Sequence, residues 1–127
     1  MAEAQNVYVS FLPEQLVFRE NDPANEMFYI LEGSVEVFKE IEGRKISLGG
    51  LQKGEVFGEM GLLEAGCART ASVQAVSEVK LLVLNKDEFF KRIKENPQFC
   101  LNILKSLSLR LQKANEELMV LKFVVSG

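Results

Sequence analysis

The stretch Glu55–Val73, EVFGEMGLLEAGCARTASV, decides how this chain is understood. Gly58 and Gly61 flank Glu59, and Arg69 stands ten residues after that acid in a run that is otherwise mostly small or apolar. FGEMG follows a strand-like EVF, and GLLEA has the length of one helical turn. Backbone N–H groups at the start of a short helix lack internal partners and carry partial positive charge. Glycines let such a backbone come close to a ligand, as in phosphate-cradling loops. Arg69 adds a planar fork of donors suited to phosphate oxygens. Glu59, an acceptor only when ionised, cannot hold a phosphate but can accept a hydrogen bond from a hydroxyl such as that of a ribose. An anion cradle, an arginine and a separate hydroxyl acceptor together specify a sugar phosphate. The same residues also allow a Glu59–Arg69 salt bridge beside a glycine turn, and glycine-rich spacing alone does not reject it.

Outward from this stretch, short apolar runs alternate with turn residues as far as Asn85. MFYILEGSVEVF reads as two strands hinged at Gly33, with Val35 and Val37 sharing one face at period two. RKISLGGLQKGEVFG supplies further short strands, broken at Gly49, Gly50 and Gly54. TASVQAVSEVKLLVL places Ala71, Val73 and Ala75 on one side, and Val79, Leu81 and Val83 on one side of the next strand. VYVSF and QLVF add two strands upstream, and RENDPANE reads as a loop. Turn signals at such regular spacing predict a β-sandwich or barrel, specifically a jelly-roll β-barrel over about residues 7–84.

After Asn85 the pattern becomes helical, so the fold class is mainly β with C-terminal helices. NKDEFFKRIKE opens with Asn85 as cap and Glu88 three residues on, a capping box, with Phe89, Phe90 and Ile93 as its buried stripe. ENPQF ends that helix and starts another: Asn96 can cap it, and Pro97 suits its first turn. The second helix is predicted to run to about Lys122, the helical segment covering about residues 85–123. Along it Cys100, Leu104, Leu107, Leu111, Ala114, Leu118, Leu121 and Val125 form a heptad seam of about three repeats. Glu117 and Lys122 then fall on flanking positions that could pair across two parallel helices. The expectation is a homodimer through this helix; packing of the stripe on the chain's own β domain is the alternative.

At 127 residues, with 47% hydrophobic and 26% charged, the chain is expected to form a single globular domain. A net charge of -3 gives no whole-chain attraction for nucleic acid or anionic membrane. Two cysteines without repeated spacing make no disulfide framework and fit a reducing, cytoplasmic setting. The chain has no histidine, which removes zinc-finger patterns, His-containing triads and imidazole acid–base chemistry, and argues against a metal-dependent cupin-type enzyme. MAEAQNVY has neither the basic start nor the apolar core of a signal peptide. No apolar run approaches membrane-spanning length, so no membrane insertion is expected.

FGEMGLLEAGCARTASV resembles the phosphate-binding cassette of the cyclic-nucleotide-binding domain family. The similarity extends over nearly the whole chain: MFYILEGSVEVF resembles the family's strand pair around a glycine turn, LQKGEVFGE its approach to the cassette, and the closing helices its lid region. The resemblance implies a role for each matching residue. Glu59 would accept the ribose 2′-hydroxyl, and Arg69 would hold the cyclic phosphate with the amides near Gly61 and Leu62 closing around it. Gly58 would allow close ribose approach. Thr70 would add a hydroxyl to phosphate or base, and the Ala71 amide would serve the phosphate. Val37, Leu48 and Leu51 match apolar lining positions, although plain barrel core is the stronger reading for any one of them. Asn21 stands where the family often has a turn glycine, a position asparagine tolerates. On the long helix Ala114 and Asn115 occupy positions where bacterial activators of the family contact adenine; Ala114 cannot hydrogen-bond a base, and Asn115 is either a substitute for that contact or a solvated helix position. No basic recognition helix follows, so direct nucleic-acid binding is not expected. The implied activity is non-enzymatic binding of a cyclic nucleotide, cAMP ahead of cGMP, with no metal and an unidentified downstream effector. The alternatives are a docking or structural domain that keeps the fold without binding nucleotide, and a regulatory domain excised from a channel or multidomain protein.

Overall fold

The structure is a computed structural model that describes residues 7–126. Its strands are β1 (Val7–Phe11), β2 (Leu16–Phe18), β3 (Pro23–Ala24), β4 (Met27–Glu32), β5 (Ser34–Ile41), β6 (Arg44–Gln52), β7 (Val56–Phe57), β8 (Cys67–Ala68), β9 (Ser72–Ala75) and β10 (Val79–Leu84). The helices are α1 (Met60–Leu63), α2 (Lys86–Glu95) and α3 (Pro97–Ser126). Two compact units result, one ending at Lys91 and the other beginning at Arg92.

Among the described residues the β unit has two four-stranded sheets, ordered β1-β10-β4-β7 and β2-β9-β5-β6, and a small β3-β8 pair. All the pairings are antiparallel. The sheets are open at their edges, so the expected jelly roll takes the form of a β-sandwich. Its core lies between them, with Phe28, Ile30, Phe57, Leu81 and Val83 from the first sheet meeting Val35, Leu51, Val73 and Ala75 from the second. The alternation read from the sequence is what sends these side chains inward.

Two details of the β unit depart from expectation for local reasons. β6 does not break at Gly49 and Gly50: Gly50 pairs with Glu36 and Gly49 with Val37, and the ladder continues to Ile41↔Arg44. The register shifts between Val37 and Phe38, which leaves Leu48 as an extra residue, a bulge in an edge strand. The loop RENDPANE also contains a strand, since Pro23 and Ala24 pair with Ala68 and Cys67. Pro23 sits in a two-residue strand, where a missing N–H costs little.

The helices follow the local code closely. The capping box is reciprocal, with the Glu88 amide donating to Asn85 Oδ1 at 2.9 Å and the Asn85 amide donating to Glu88 Oε1 at 3.3 Å. Pro97 opens α3, which runs four residues beyond Lys122 to Ser126. The stripe expected to be buried on α2 is only half-covered: no residue of that helix is buried, and Phe90 is exposed. On α3 the seam residues Leu104, Leu111, Leu118, Leu121 and Val125 are exposed, Leu111 to 63%. No helix among the described residues is long and apolar enough to cross a membrane.

Candidate functional site

Residues 58–71 fold as a turn, the short helix α1, a second turn, the strand β8, which pairs with β3, and the link toward β9. Gly58 opens the segment at φ +75°, and a Cβ there would come within 2.7 Å of Arg69 Nη1. Only glycine combines that backbone with so close an approach. Gly61 is required for a different reason: a Cβ would meet the Glu26 carbonyl oxygen at 2.8 Å and its nitrogen at 2.9 Å. It therefore lets α1 pack on the turn between β3 and β4. The Gly61 amide donates to the Gly58 carbonyl at 3.1 Å and the Leu62 amide to the Glu59 carbonyl at 3.0 Å. These two amides, expected to close on a phosphate, spend their hydrogens inside the turn, and the Leu62 side chain is buried.

Arg69 dominates the site. Its backbone is tied to the turn before β3, with its amide donating to the Asp22 carbonyl and its carbonyl accepting from the Asn21 amide, both at 2.8 Å. Asn21 adopts φ +75°, the left-handed conformation that asparagine tolerates. The Arg69 side chain is 7% exposed. Nη1 donates to the Gly58 carbonyl at 2.9 Å and Nη2 to the Glu26 carbonyl at 3.0 Å, while Nε is buried without a hydrogen-bond partner. The guanidinium carbon lies 4.2 Å from the centroid of the Phe18 ring and 5.7 Å from that of Phe28.

Among the described residues no carboxylate forms an ion pair with this buried cation. The question raised by the sequence is thereby answered for this structure: Glu59 and Arg69 are not a salt bridge. Burial pushes the guanidinium below its ordinary range, and Glu26, Cys67, Glu59 and Asp22 pull it back only in part. A desolvated cation whose protein partners are carbonyl dipoles is an incomplete arrangement, and an anion supplied from outside would complete it.

The other residues singled out in the sequence are distributed around this centre. Glu59 is half-buried at the N-cap of α1, makes no capping hydrogen bond, and has no hydrogen-bond or ion-pair partner for its carboxylate among the described residues. Thr70 is exposed and Ala71 half-buried, both between β8 and β9. Leu51 belongs to the core and Val37 packs against it, whereas Leu48, the bulge residue, is 57% exposed. Asn115 is exposed on α3, in the second unit.

Sequence reasoning missed the groups that hold Arg69. Glu26 accepts from Nη2 through its main-chain carbonyl, a contact that side-chain type does not report. Phe18 lies under the guanidinium because the register of β2 shifts between Leu16 and Phe18, pairing Leu16 with Gln74 and Phe18 with Val73. Plain alternation would have put Leu16 and Phe18 on one face.

These features define a β-sandwich domain with a glycine-framed turn packed around a buried arginine that has no carboxylate partner among the described residues. The chain belongs to the cyclic nucleotide-binding domain family: residues 8–96 match the family's model, Cyclic nucleotide-binding domain. It is similar to the cyclic AMP receptor protein of Thermus thermophilus, at 33% identity over 108 residues, 84% of this chain and 50% of that protein. A solved structure of the c-di-GMP-responsive global regulator CLP from Xanthomonas campestris superposes with a TM-score of 0.80 at 25% identity, over 93% of this chain and 60% of that one. A solved structure of the EAL enzyme Bd1971 superposes with a TM-score of 0.68 at 28% identity, over 87% of this chain and 99% of that one. The chain spans about half the length of the curated relatives it matches.

Proposed function

We propose that the chain is a cyclic-nucleotide sensor domain, with cAMP favoured over cGMP, that signals by binding its ligand without turning it over. The observation that carries this reading is the buried Arg69 guanidinium, without a carboxylate partner and with Nε unpartnered. A guanidinium has five N–H donors, and carbonyls engage two of them here. Nε–H and one hydrogen on each Nη remain for the oxygens of a cyclic phosphate, a geometry suited to charge-assisted bonding. The Thr70 hydroxyl and the Ala71 amide would add neutral donors from the same turn. Glu59, ten residues before Arg69 and itself unengaged, would accept the ribose 2′-hydroxyl. Leu48 and Val37 would offer apolar contact to the nucleoside. The Gly61 and Leu62 amides would join the phosphate only if the turn at α1 rearranged.

The names of the relatives support cAMP as the ligand, since one is a cyclic AMP receptor protein and others are cAMP-activated transcriptional regulators. In a chain without histidine, a carboxylate, an arginine and a hydroxyl read as a binding set. The exposed seam on α3 supports a parallel homodimer in which each helix covers the other. Ligand would act on such a dimer only by binding its two states unequally. Isothermal titration with cAMP and cGMP side by side tests the reading. Saturable binding with cAMP tighter is expected; absence of heat with both nucleotides would leave a docking domain.

A further inference from the structure

We infer that Phe18 is a positioning residue for the phosphate-binding arginine: its ring is the shelf that fixes the plane of the Arg69 guanidinium and so the edge that faces an incoming anion. The inference rests on the proposed nucleotide-binding reading. Two hydrogen bonds and two rings surround the guanidinium, Phe18 at 4.2 Å and the more distant Phe28 at 5.7 Å, and they differ in what they fix. The Gly58 and Glu26 carbonyls, at 2.9 and 3.0 Å, accept from Nη1 and Nη2 and set where those two atoms lie. Two points leave the planar group free to rotate about the line joining them. The Phe18 ring, with the guanidinium carbon 4.2 Å from its centroid, removes that freedom by covering one face. Nε–H, buried and unpartnered, and the outer Nη hydrogens are then left as the edge without a protein acceptor.

The shelf is itself braced. Phe18 lies 5.8 Å from Phe28 and 5.9 Å from Phe57, both tilted, and Phe28 stacks on Phe57 at 5.1 Å with 16° between the planes. Phe28 and Phe57 are cross-strand partners between β4 and β7 and are buried in the core. Phe18 reaches this pair from the opposite sheet through the register shift at Val17, a strand irregularity that re-aims a side chain next to a site. The aromatic face also suits a cation that burial has stripped of water, because ring–cation attraction grows as solvent leaves. An aliphatic side chain of similar size would fill the space without holding the plane.

Two variants separate shelf from filler. Phe18→Leu keeps an apolar side chain and removes the π face, while Phe18→Tyr keeps the face. In isothermal titration Phe18→Leu is expected to weaken cAMP binding by about 2- to 30-fold, the range of one desolvated cation–π contact. Phe18→Tyr is expected to stay within about twofold of the unmodified chain. The second readout needs no nucleotide. In arginine-labelled protein the Arg69 Nε–H proton should resonate upfield from ring current, keep that position in Phe18→Tyr, and lose it in Phe18→Leu; Arg69→Lys assigns the signal. Equal affinities for Phe18→Leu and the unmodified chain would overturn the inference. So would equal losses in both variants, or an Arg69 Nε–H signal indifferent to Phe18→Leu. If the unmodified chain binds neither nucleotide, the functional reading fails, and the nucleotide-free spectrum still decides whether the shelf exists.

Discussion

Substituting Arg69 by glutamine should nearly abolish the nucleotide response while leaving the ligand-free fold close to its original stability. Two opposing terms set the ligand-free balance. The guanidinium is 7% exposed and lacks a carboxylate partner, and burying such a charge costs several kcal/mol. Against this stand hydrogen bonds to the Gly58 and Glu26 carbonyls, about 1.5–3 kcal/mol each for a charged donor, and the Phe18 contact, about 0.5–2 kcal/mol. Removing all of them together should change stability by no more than about 2 kcal/mol. The bound state has no such compensation. Losing the charge-assisted phosphate contacts should weaken binding by about 2–4 kcal/mol, or roughly 30- to 700-fold. Thermal unfolding with added cAMP is the assay. At a concentration 100 times the original Kd, ligand stabilises the original chain by about 2.7 kcal/mol, whereas a 100-fold weakened variant gains about 0.4 kcal/mol. For a chain of this size the two shifts are about 10 °C and 1–2 °C. A variant whose Tm still rises like the original, or whose ligand-free Tm collapses, would refute the account of Arg69 as an unsatisfied cation awaiting an anion.

Further outcomes follow from other parts of the molecule. Gly58→Ala, which sets a side chain at φ +75° within 2.7 Å of Arg69 Nη1, should lower cAMP affinity at least about tenfold by titration, with strain of about 1–3 kcal/mol visible in Tm. Thr70→Ala should weaken cGMP more than cAMP, and equal losses would remove its part in base selection. Leu111→Lys on the exposed seam should shift analytical-ultracentrifugation boundaries toward monomer, and an unchanged sedimentation coefficient would deny the dimer. Glu36 accepts from Lys45 Nζ at 2.7 Å, and that contact holds its carboxyl below the ordinary 4.5. A carboxyl with a lowered folded pKa stabilises fully above pH 4.5, and that contribution fades as pH falls through the folded value. Lys45→Met should therefore flatten the acid limb of the Tm–pH curve.

The parts of this structure that were legible in sequence are those where the signal is local. Asn85 and Glu88 announce the start of α2 because both halves of the capping box lie within one turn. MFYILE declares a strand by its apolar, β-rich composition and SVEVF by the period-two spacing of Val35 and Val37, on either side of the turn at Gly33. Glu59 and Arg69 stood out as charges in an apolar run. What stayed hidden depends on partners distant in the chain. Gly49 and Gly50 look like a break, yet β5 supplies a ladder that carries β6 through them. Phe90 and Ile93 have helical spacing, but spacing does not say how deep a face lies, and neither residue is buried. The Phe18 ring reaches Arg69 across 51 positions of sequence by way of a register shift that no periodicity reports.

The bulged strand β6 carries a consequence for the behaviour of the protein in concentrated solution. It is nine residues long, lies at a sheet edge, and is exposed along Arg44–Gly50, with Ile46 and Leu48 among the bared side chains. A straight edge of that length is a template on which a second chain can add a strand and begin an aggregate. Here the extra residue Leu48 and the φ of +132° at Gly49 break the even row of donors and acceptors midway. Arg44 and Lys45 charge the far end of the same edge. Deleting Leu48 would straighten the ladder and create a continuous, partly apolar docking rail. The irregularity thus makes this edge a poor template for fibril growth and keeps the sheet from extending beyond its own chain.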